Sequence, residues 1–385
     1  ISDPDKADCV IVNTCAFIKE AKEESIRTIL HLLDLKQQGL LKKIIVYGCL
    51  PQRYKHTLRK HLAGVDAFVG KLCLDEHQER PHILTPKHYA YVKIAEGCGN
   101  RCSYCIIPTI KGRLVSRSLH SIIEQVRQLD ENNVKEIILI GQDISLYGRD
   151  TGVQPTLAAL LREILKNTHS IRWIRLLYLH PAHVSDELIE LVAHEKRICK
   201  YIDLPIQHIN DRILSLMDRK TTRREVESLI KKIRTTIANV FLRTSVIVGF
   251  PSETHAEFQE LLDFIKEVKF ERLGAFVYSR EEETKAYAFK DQLHHKTKQA
   301  RFDVLMSFQR QIASAFNQTL LASTREVMID AQQEDAHDMY VARLEQDAPE
   351  VDGTVYVRSK KELKVGTFVN VKIVDTMEYD LLAEA

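Results

Sequence analysis

Residues 98–105 read Cys98-Gly-Asn-Arg-Cys102-Ser-Tyr-Cys105, and three cysteines inside eight residues govern how the rest of the chain is parsed. Gaps of three and then two residues let the thiolates turn toward one point, as a metal cluster or a metal ion requires. No cysteine follows until Cys199, so an iron–sulfur cube held here would keep one iron without a protein ligand. An open iron can bind a small molecule. The alternatives are a structural zinc site or three unrelated core thiols, but zinc usually takes closed sets of four ligands from paired C-x-x-C units.

Working outward, the loop interrupts an alternation of apolar strands with amphipathic helices. Strands are expected at Tyr89 to Ile94, Glu136 to Ile140, Ile171 to Tyr178, Tyr201 to Leu204, Leu242 to Val248 and Leu273 to Tyr278. Such units imply right-handed parallel crossovers and a partial (β/α)6 barrel. Thr222-Arg-Arg-Glu225 and Thr254-His-Ala-Glu257 have capping-box form and mark two helix starts. In these barrels functional groups sit where strands end. The thiol loop follows the first strand, Gln142 and Asp143 the second, His180 and Pro181 the third. Gln207 and His208 follow the fourth, and Gly249, Phe250 and Pro251 the fifth.

Upstream, Cys9 to Asn13 and Lys43 to Tyr47 read as strands and Ile18 to Leu33 as a helix with its apolar stripe at Ile18, Ile26, Ile29, Leu30 and Leu33. A strand as apolar as the first is normally buried on both faces, so neighbours are expected on either side of it. Cys15 and Cys49 each follow a strand end, along the sheet edge where ligands of open α/β sheets bind. Taken alone, two such thiols are more often small buried apolar residues. Cys9 lies six extended residues from Cys15, roughly 20 Å along the strand at ~3.3 Å per residue. Cys73 and Cys199 read as structural. Residues 76–87, with Pro81 and Pro86, read as a linker.

Downstream, Arg301 to Asn317 reads as one helix, and His294-His295 with Lys296 and Lys298 as a solvated surface. From Arg325 onward, strand-like runs at Glu326 to Ile329, Met339 to Leu344, Gly353 to Val357 and Phe368 to Val374 suggest a small antiparallel barrel.

Of the 385 residues 44% are hydrophobic and 28% charged, which places the chain among ordinary globular proteins. No apolar run nears the roughly 18 residues needed to span a bilayer, so no membrane role is expected. Eight cysteines without a signal peptide point to cytoplasmic thiols that serve metal. From Ser323 onward seven Lys and Arg face fourteen Asp and Glu, although the whole chain carries +2. An acidic module repels phosphates and attracts basic partners.

The C-x3-C-x2-C loop resembles that of the radical S-adenosylmethionine (SAM) enzymes. Val12 to Phe17 (VNTCAF), Tyr47 to Tyr54 (YGCLPQRY), Ile106-Ile107-Pro108 and Gly249 to Thr254 extend the likeness to the methylthiotransferases among them. Ala348-Pro-Glu-Val-Asp-Gly353 favours the branch that modifies a ribosomal protein over the branch that modifies transfer RNA. The resemblance implies three parts: a methylthiotransferase domain over residues 1–80, truncated at its start, a radical SAM barrel over 88–317 and a TRAM-like β domain over 323–385. It implies two 4Fe-4S clusters. Cys98, Cys102 and Cys105 would hold one, whose open iron binds SAM and splits it to a 5′-deoxyadenosyl radical. Cys15 and Cys49 would hold the other, with a third cysteine from an upstream strand and helix. Tyr104, Gln142, Gln207, Arg243, Gly249 and Phe250 would line the SAM pocket. Two departures stand out, since the family usually has glycine where this chain has Ile209 and Ser252. A positive φ would cost the β-branched Ile209 more. The implied substrate is an aspartate β-carbon in a basic small-subunit ribosomal protein, with flavodoxin or ferredoxin as reductant. A transfer RNA adenosine is the alternative, and a non-catalytic metal-binding protein the third reading.

Overall fold

Apolar β-rich runs become the strands of a parallel sheet in the computed structural model, which describes residues 7–70, 85–152, 156–334 and 336–385. The six barrel strands are Tyr89–Lys93, Glu136–Ile140, Trp173–Leu176, Tyr201–Asp203, Phe241–Val248 and Arg272–Val277. First pairs with second and second with third, then fourth with fifth and fifth with sixth, all parallel. A parallel bridge from Ile174 to Ile198 and a 2.8 Å bond from Leu179 N–H to Asp203 O link third to fourth. The order is therefore that of the sequence.

Helices Leu119–Glu131, Leu157–Asn167, Asp186–His194, Arg223–Thr236 and His255–Val268 cover the strands. Each turns an aliphatic stripe inward; the first buries Ile122, Ile123, Val126 and Leu129. Those stripes meet Val92, Ile137, Leu139, Ile174, Leu242 and Val246 in one core. Burial contributes about 1.5–3 kcal/mol for each such side chain. Both expected capping boxes are present, Thr222 with Glu225 and Thr254 with Glu257.

The chain divides into two units. The first takes Ile1–Asp75, Gly97–Leu114 and Ser279–Lys290; the second takes Glu76–Glu96, Val115–Tyr278 and Asp291–Ala385. In the first, strands Cys9–Thr14, Lys43–Gly48 and Ala67–Val69 form a parallel sheet in chain order with helices Lys19–Gln37 and Cys49–His61. Among the described residues the first strand is at the edge of the sheet, with Ile11 66% exposed. The helix also buries a different stripe from the expected one. Ser25, Ile29, Leu32 and Leu35 face inward while Ile26 and Leu30 are exposed. The polar Ser25 turns in because its hydroxyl donates to Cys15 O and accepts from Cys15 N–H, both at 3.2 Å.

In the second unit a helix at His295–Leu320, longer than the expected 301–317, leads to a closed five-stranded barrel. Its strands are Thr324–Gln332, Met339–Leu344, Val355–Arg358, Phe368–Thr376 and Leu381–Glu384. Four pairings are antiparallel, and Val355–Arg358 runs parallel to Leu381–Glu384. That last short strand closes the barrel and had no alternating run long enough to mark it. Pro81 and Cys73 lie outside the described residues.

Candidate functional site

The thiol loop is built by close backbone approach. Gly97 has φ +73°, and a Cβ there would lie 2.0 Å from Arg113 O, so glycine is required just before Cys98. Cys98 N–H donates to Gly112 O at 3.3 Å, drawing the two ends of the loop together. At its base, Ala95–Glu96 pairs antiparallel with Val115–Ser116. Inside the loop Cys105 N–H donates to Cys102 O at 3.1 Å, and Asn100 N–H points at Cys98 Sγ at 3.4 Å. An N–H aimed at sulfur favours the thiolate, the form that binds metal. Cys98, Cys102, Tyr104 and Cys105 are all half-buried. The helix that follows, Ile107–Lys111, packs Ile106 and Ile110 into the first unit's core with Val46, Leu50 and Leu58. Among the described residues no three His, Cys, Asp or Glu side chains are already gathered at ligating distance. The donor set nonetheless suits iron and sulfur: thiolates on one tight turn, with an N–H donor beside one of them.

Cys15 and Cys49 belong to the same unit. The parallel register pairs Thr14 with Gly48, so both cysteines leave adjacent strands at the same level. Adjacent strands are ~4.8 Å apart, so the two residues leave the sheet side by side at one end. Gly48 allows this, because at φ +107° its missing Cβ would lie 2.7 Å from Thr14 O. Arg53, from the YGCLPQRY run, ties the two turns together. Its Nη1 donates to Ala16 O at 3.1 Å and its Nη2 to Glu282 O at 2.7 Å, with a side chain only 1% exposed. Cys9 is exposed, opposite Lys43 at the far end of the strand. Cys199 is buried beside Trp173 and Tyr201, and burial pushes its thiol pKa well up, as suits a packing residue.

In the second unit the strand ends carry polar groups. Gln142 Oε1 is buried and without a hydrogen-bond partner among the described residues, and so is His208 Nε2. His208 Nδ1 accepts from Asn210 N–H at 3.0 Å, so the proton of the neutral ring sits on Nε2. Burial lowers the pKa of His208 to about 3 and that of His180 to about 2. Both rings are neutral at pH 7. Gln207 has φ +69°, held by bonds to Ser245 O and from Ile247 N–H at 2.9 and 2.8 Å. Of the two glycine departures, Ser252 takes a left-handed φ of +63°, while Ile209 is fully buried in the core and does not.

The Gly249-Phe250-Pro251 turn rests on residues the sequence reading missed. Gly249 has φ +73°, and a Cβ there would lie 2.5 Å from Lys298 Cγ. Lys298 is buried, not solvated, and its Nζ donates to Tyr278 O at 3.0 Å. Phe250 N–H donates to Glu253 at 3.0 Å, and Glu253 pairs with buried Arg301 at 2.5 Å. The Phe250 ring is fully buried edge-on to Tyr278, and Gly249 and Pro251 on either side of it are buried as well. Only the helical spacing of Lys298 and Arg301, one turn apart with the buried Leu305, hinted at an inward face. Arg243 stands near the start of its strand and is bonded to Asp203 at 2.9 Å. It is thus placed apart from the strand ends that carry Gln142, Gln207 and Gly249. An unpartnered buried acceptor at Gln142 fits a ligand with an ammonium group, as SAM has.

Residues 92–265 match the Radical SAM superfamily, residues 323–385 the TRAM domain, and residues 1–70 the uncharacterized protein family UPF0004. A radical SAM structure, the methyltransferase TsrM from Kitasatospora setae with cobalamin and a 4Fe-4S cluster bound, superposes with TM-score 0.53 at 14% identity, over 73% of this chain and 66% of that one. At that identity the likeness shows the fold alone. The chain is 42% identical to "Ribosomal protein uS12 methylthiotransferase RimO" of Clostridium novyi, over 99% of this chain and 90% of that protein. It is 44% identical to the protein of the same name in Caldanaerobacter subterraneus, over 100% and 92%. The chain belongs to the RimO family of radical SAM methylthiotransferases.

Proposed function

We propose that this chain replaces a β-hydrogen of an aspartate in ribosomal protein uS12 with a methylthio group. The observation that carries the reading is 42–44% identity to proteins of that name over nearly the whole chain. In this reading Cys98, Cys102 and Cys105 hold a 4Fe-4S cluster, and Tyr104, Gln142, Gln207, Gly249 and Phe250 line the SAM pocket. Arg243, also expected in that pocket, is bonded to Asp203 near the start of its strand. When bound, the cluster supplies the electron that cleaves SAM, and the substrate hydrogen leaves as part of 5′-deoxyadenosine. Gln142 Oε1 would accept from the SAM ammonium, and the neutral His208 would donate from Nε2. Cys15 and Cys49 would hold a second cluster that carries the sulfur to be transferred; their register and the Gly48 turn support this. The three-part division at 1–80, 88–317 and 323–385 belongs to the same proposal, as do a cytoplasmic site of action and a flavodoxin- or ferredoxin-like reductant.

The test offers two substrates side by side. Anaerobically reconstituted protein, SAM and a reductant are incubated with uS12 in small ribosomal subunits or with transfer RNA, and both are examined by mass spectrometry. The proposal expects a methylthio group on one aspartate peptide of uS12. Methylthio adenosine in transfer RNA, with uS12 unchanged, would replace it with the alternative.

A further inference from the structure

Segment 343–352, which contains most of the Ala348–Gly353 run, meets the barrel where its strands begin. Each of the six strands supplies a contact. Tyr89 Oη donates to Glu350 at 3.1 Å, and Glu136 lies 2.8 Å from Arg343. Arg175 Nη1 donates to Glu345 O at 2.7 Å, and Tyr201 Oη to Asp352 at 2.7 Å. Arg243 Nε stands 3.5 Å from Asp352, and Arg272 donates to Asp347 Oδ1 at 3.1 and 2.7 Å. Glu136 and Arg175 are fully buried, and the Asp347 and Asp352 side chains are 1% and 3% exposed. Part of the module's acidity is thus turned inward to match strand arginines. Gly353 completes the seat, because a Cβ there would lie 2.2 Å from Tyr379 O and 3.2 Å from Arg272 Nη2.

One of these contacts continues through the barrel. Arg243 Nη1 also donates to Asp203 Oδ1 at 2.9 Å. The other oxygen of Asp203 accepts from Tyr178 N–H at 3.0 Å, and its carbonyl accepts from Leu179 N–H at 2.8 Å. Tyr178 has φ +68°, a conformation that non-glycine residues hold only when bonded in place. Two residues on, His180 N–H points at Asp143 Oδ1, 3.4 Å away, beside Gln142 at the end of the second strand.

We infer that segment 343–352 is a stopper for the end of the barrel where strands begin, and that Asp352 is a positioning residue. Through Arg243 and Asp203 it fixes the Tyr178–His180 turn at the opposite end. The inference rests on the reading of that opposite end as the SAM site, and it makes the C-terminal module part of the active site's scaffold. Without the relay, SAM cleavage and transfer lose their common geometry.

Hydrogen exchange on the full chain tests the relay without SAM or substrate, so it stands or falls separately from the methylthiotransferase reading. In D352N, exchange at the Tyr178 and Leu179 amides speeds by roughly tenfold, while helix Leu157–Asn167 keeps its rate. In the assay above, D352N forms more 5′-deoxyadenosine for each methylthio group, and D352E restores part of the ratio. Faster exchange confined to 324–385, with Tyr178 and Leu179 unchanged, would reduce Asp352 to an anchor and overturn the inference. Should D352N not fold, Y201F removes one hydroxyl that holds Asp352 and is read in the same way.

Discussion

The two ends of the barrel differ in the kind of buried polar group they hold. Where strands finish, Gln142 Oε1 and His208 Nε2 are buried without partners among the described residues. Where strands begin, Arg243, Arg272 and Arg343 are each matched to carboxylates, and Arg175 pairs with Glu136 although its Nη2 has no hydrogen-bond partner among the described residues. An unmet buried polar atom costs about 1–3 kcal/mol, so a ligand that met Gln142 Oε1 would recover that cost. A matched buried pair contributes little net stability, yet removing one partner costs about 3–5 kcal/mol. The proposed function assigns the chemistry to the first end, and ion pairs dominate the other.

The comparison can be broken from either side, and the largest effect belongs to the thiol loop that leaves the first strand. Replacing Cys98, Cys102 or Cys105 with alanine removes a thiolate that the proposed function assigns to the cluster, and 5′-deoxyadenosine production is expected to fall to background. The next largest is D347A. It strands Arg272, which is about 6% exposed in its side chain, and lowers stability by about 3–5 kcal/mol in urea unfolding. SAM cleavage by the folded fraction persists.

A smaller effect separates the ends by pH. A histidine whose folded pKa lies below its unfolded value takes its proton mainly in the unfolded chain, so it costs stability as pH falls below about 6.5. With His208 near 3 and His180 near 2, each contributes a loss of about 2 kcal/mol between pH 7 and pH 5. Burial raises the carboxyl pKa of Asp203 and Asp347, which has the opposite sign. These groups gain relative stability as acid neutralises them. The urea midpoint at the two pH values, compared between the chain and H208Q, isolates the His208 share. The smallest effect is S252G. It relieves a left-handed φ but loses the bond from Arg212 Nη1 to the Ser252 hydroxyl, and the balance stays within about 1 kcal/mol.

What could be read from the sequence was local. Cysteine spacing, strand alternation and the Thr-x-x-Glu caps act over a few residues, and the barrel strands fell within a few residues of their expected bounds. The Ser25 face of the first helix was misread because a hydroxyl turned inward toward Cys15 leaves no apolar signal. Lys298 was read as solvated for the same reason, since its partner Tyr278 is 20 residues away, and nothing local marked the pairing of Arg301 with Glu253 across 48 residues. The acidity of the C-terminal module was visible as a count, but its inward use was not. Asp347 finds Arg272 across 75 residues, and pairing at that range has no periodicity to betray it.

The division between the two ends is tested most directly by one variant, Gln142→Leu, measured twice: SAM affinity of the reconstituted protein, and thermal midpoint of the chain. Loss of an acceptor for a charged ammonium costs about 1.5–3 kcal/mol, or roughly tenfold or more in affinity. Removing an unpartnered buried oxygen leaves the midpoint unchanged or raised. Unchanged SAM affinity together with a lowered midpoint would contradict the account, because it would make Gln142 a structural residue at the end assigned to chemistry.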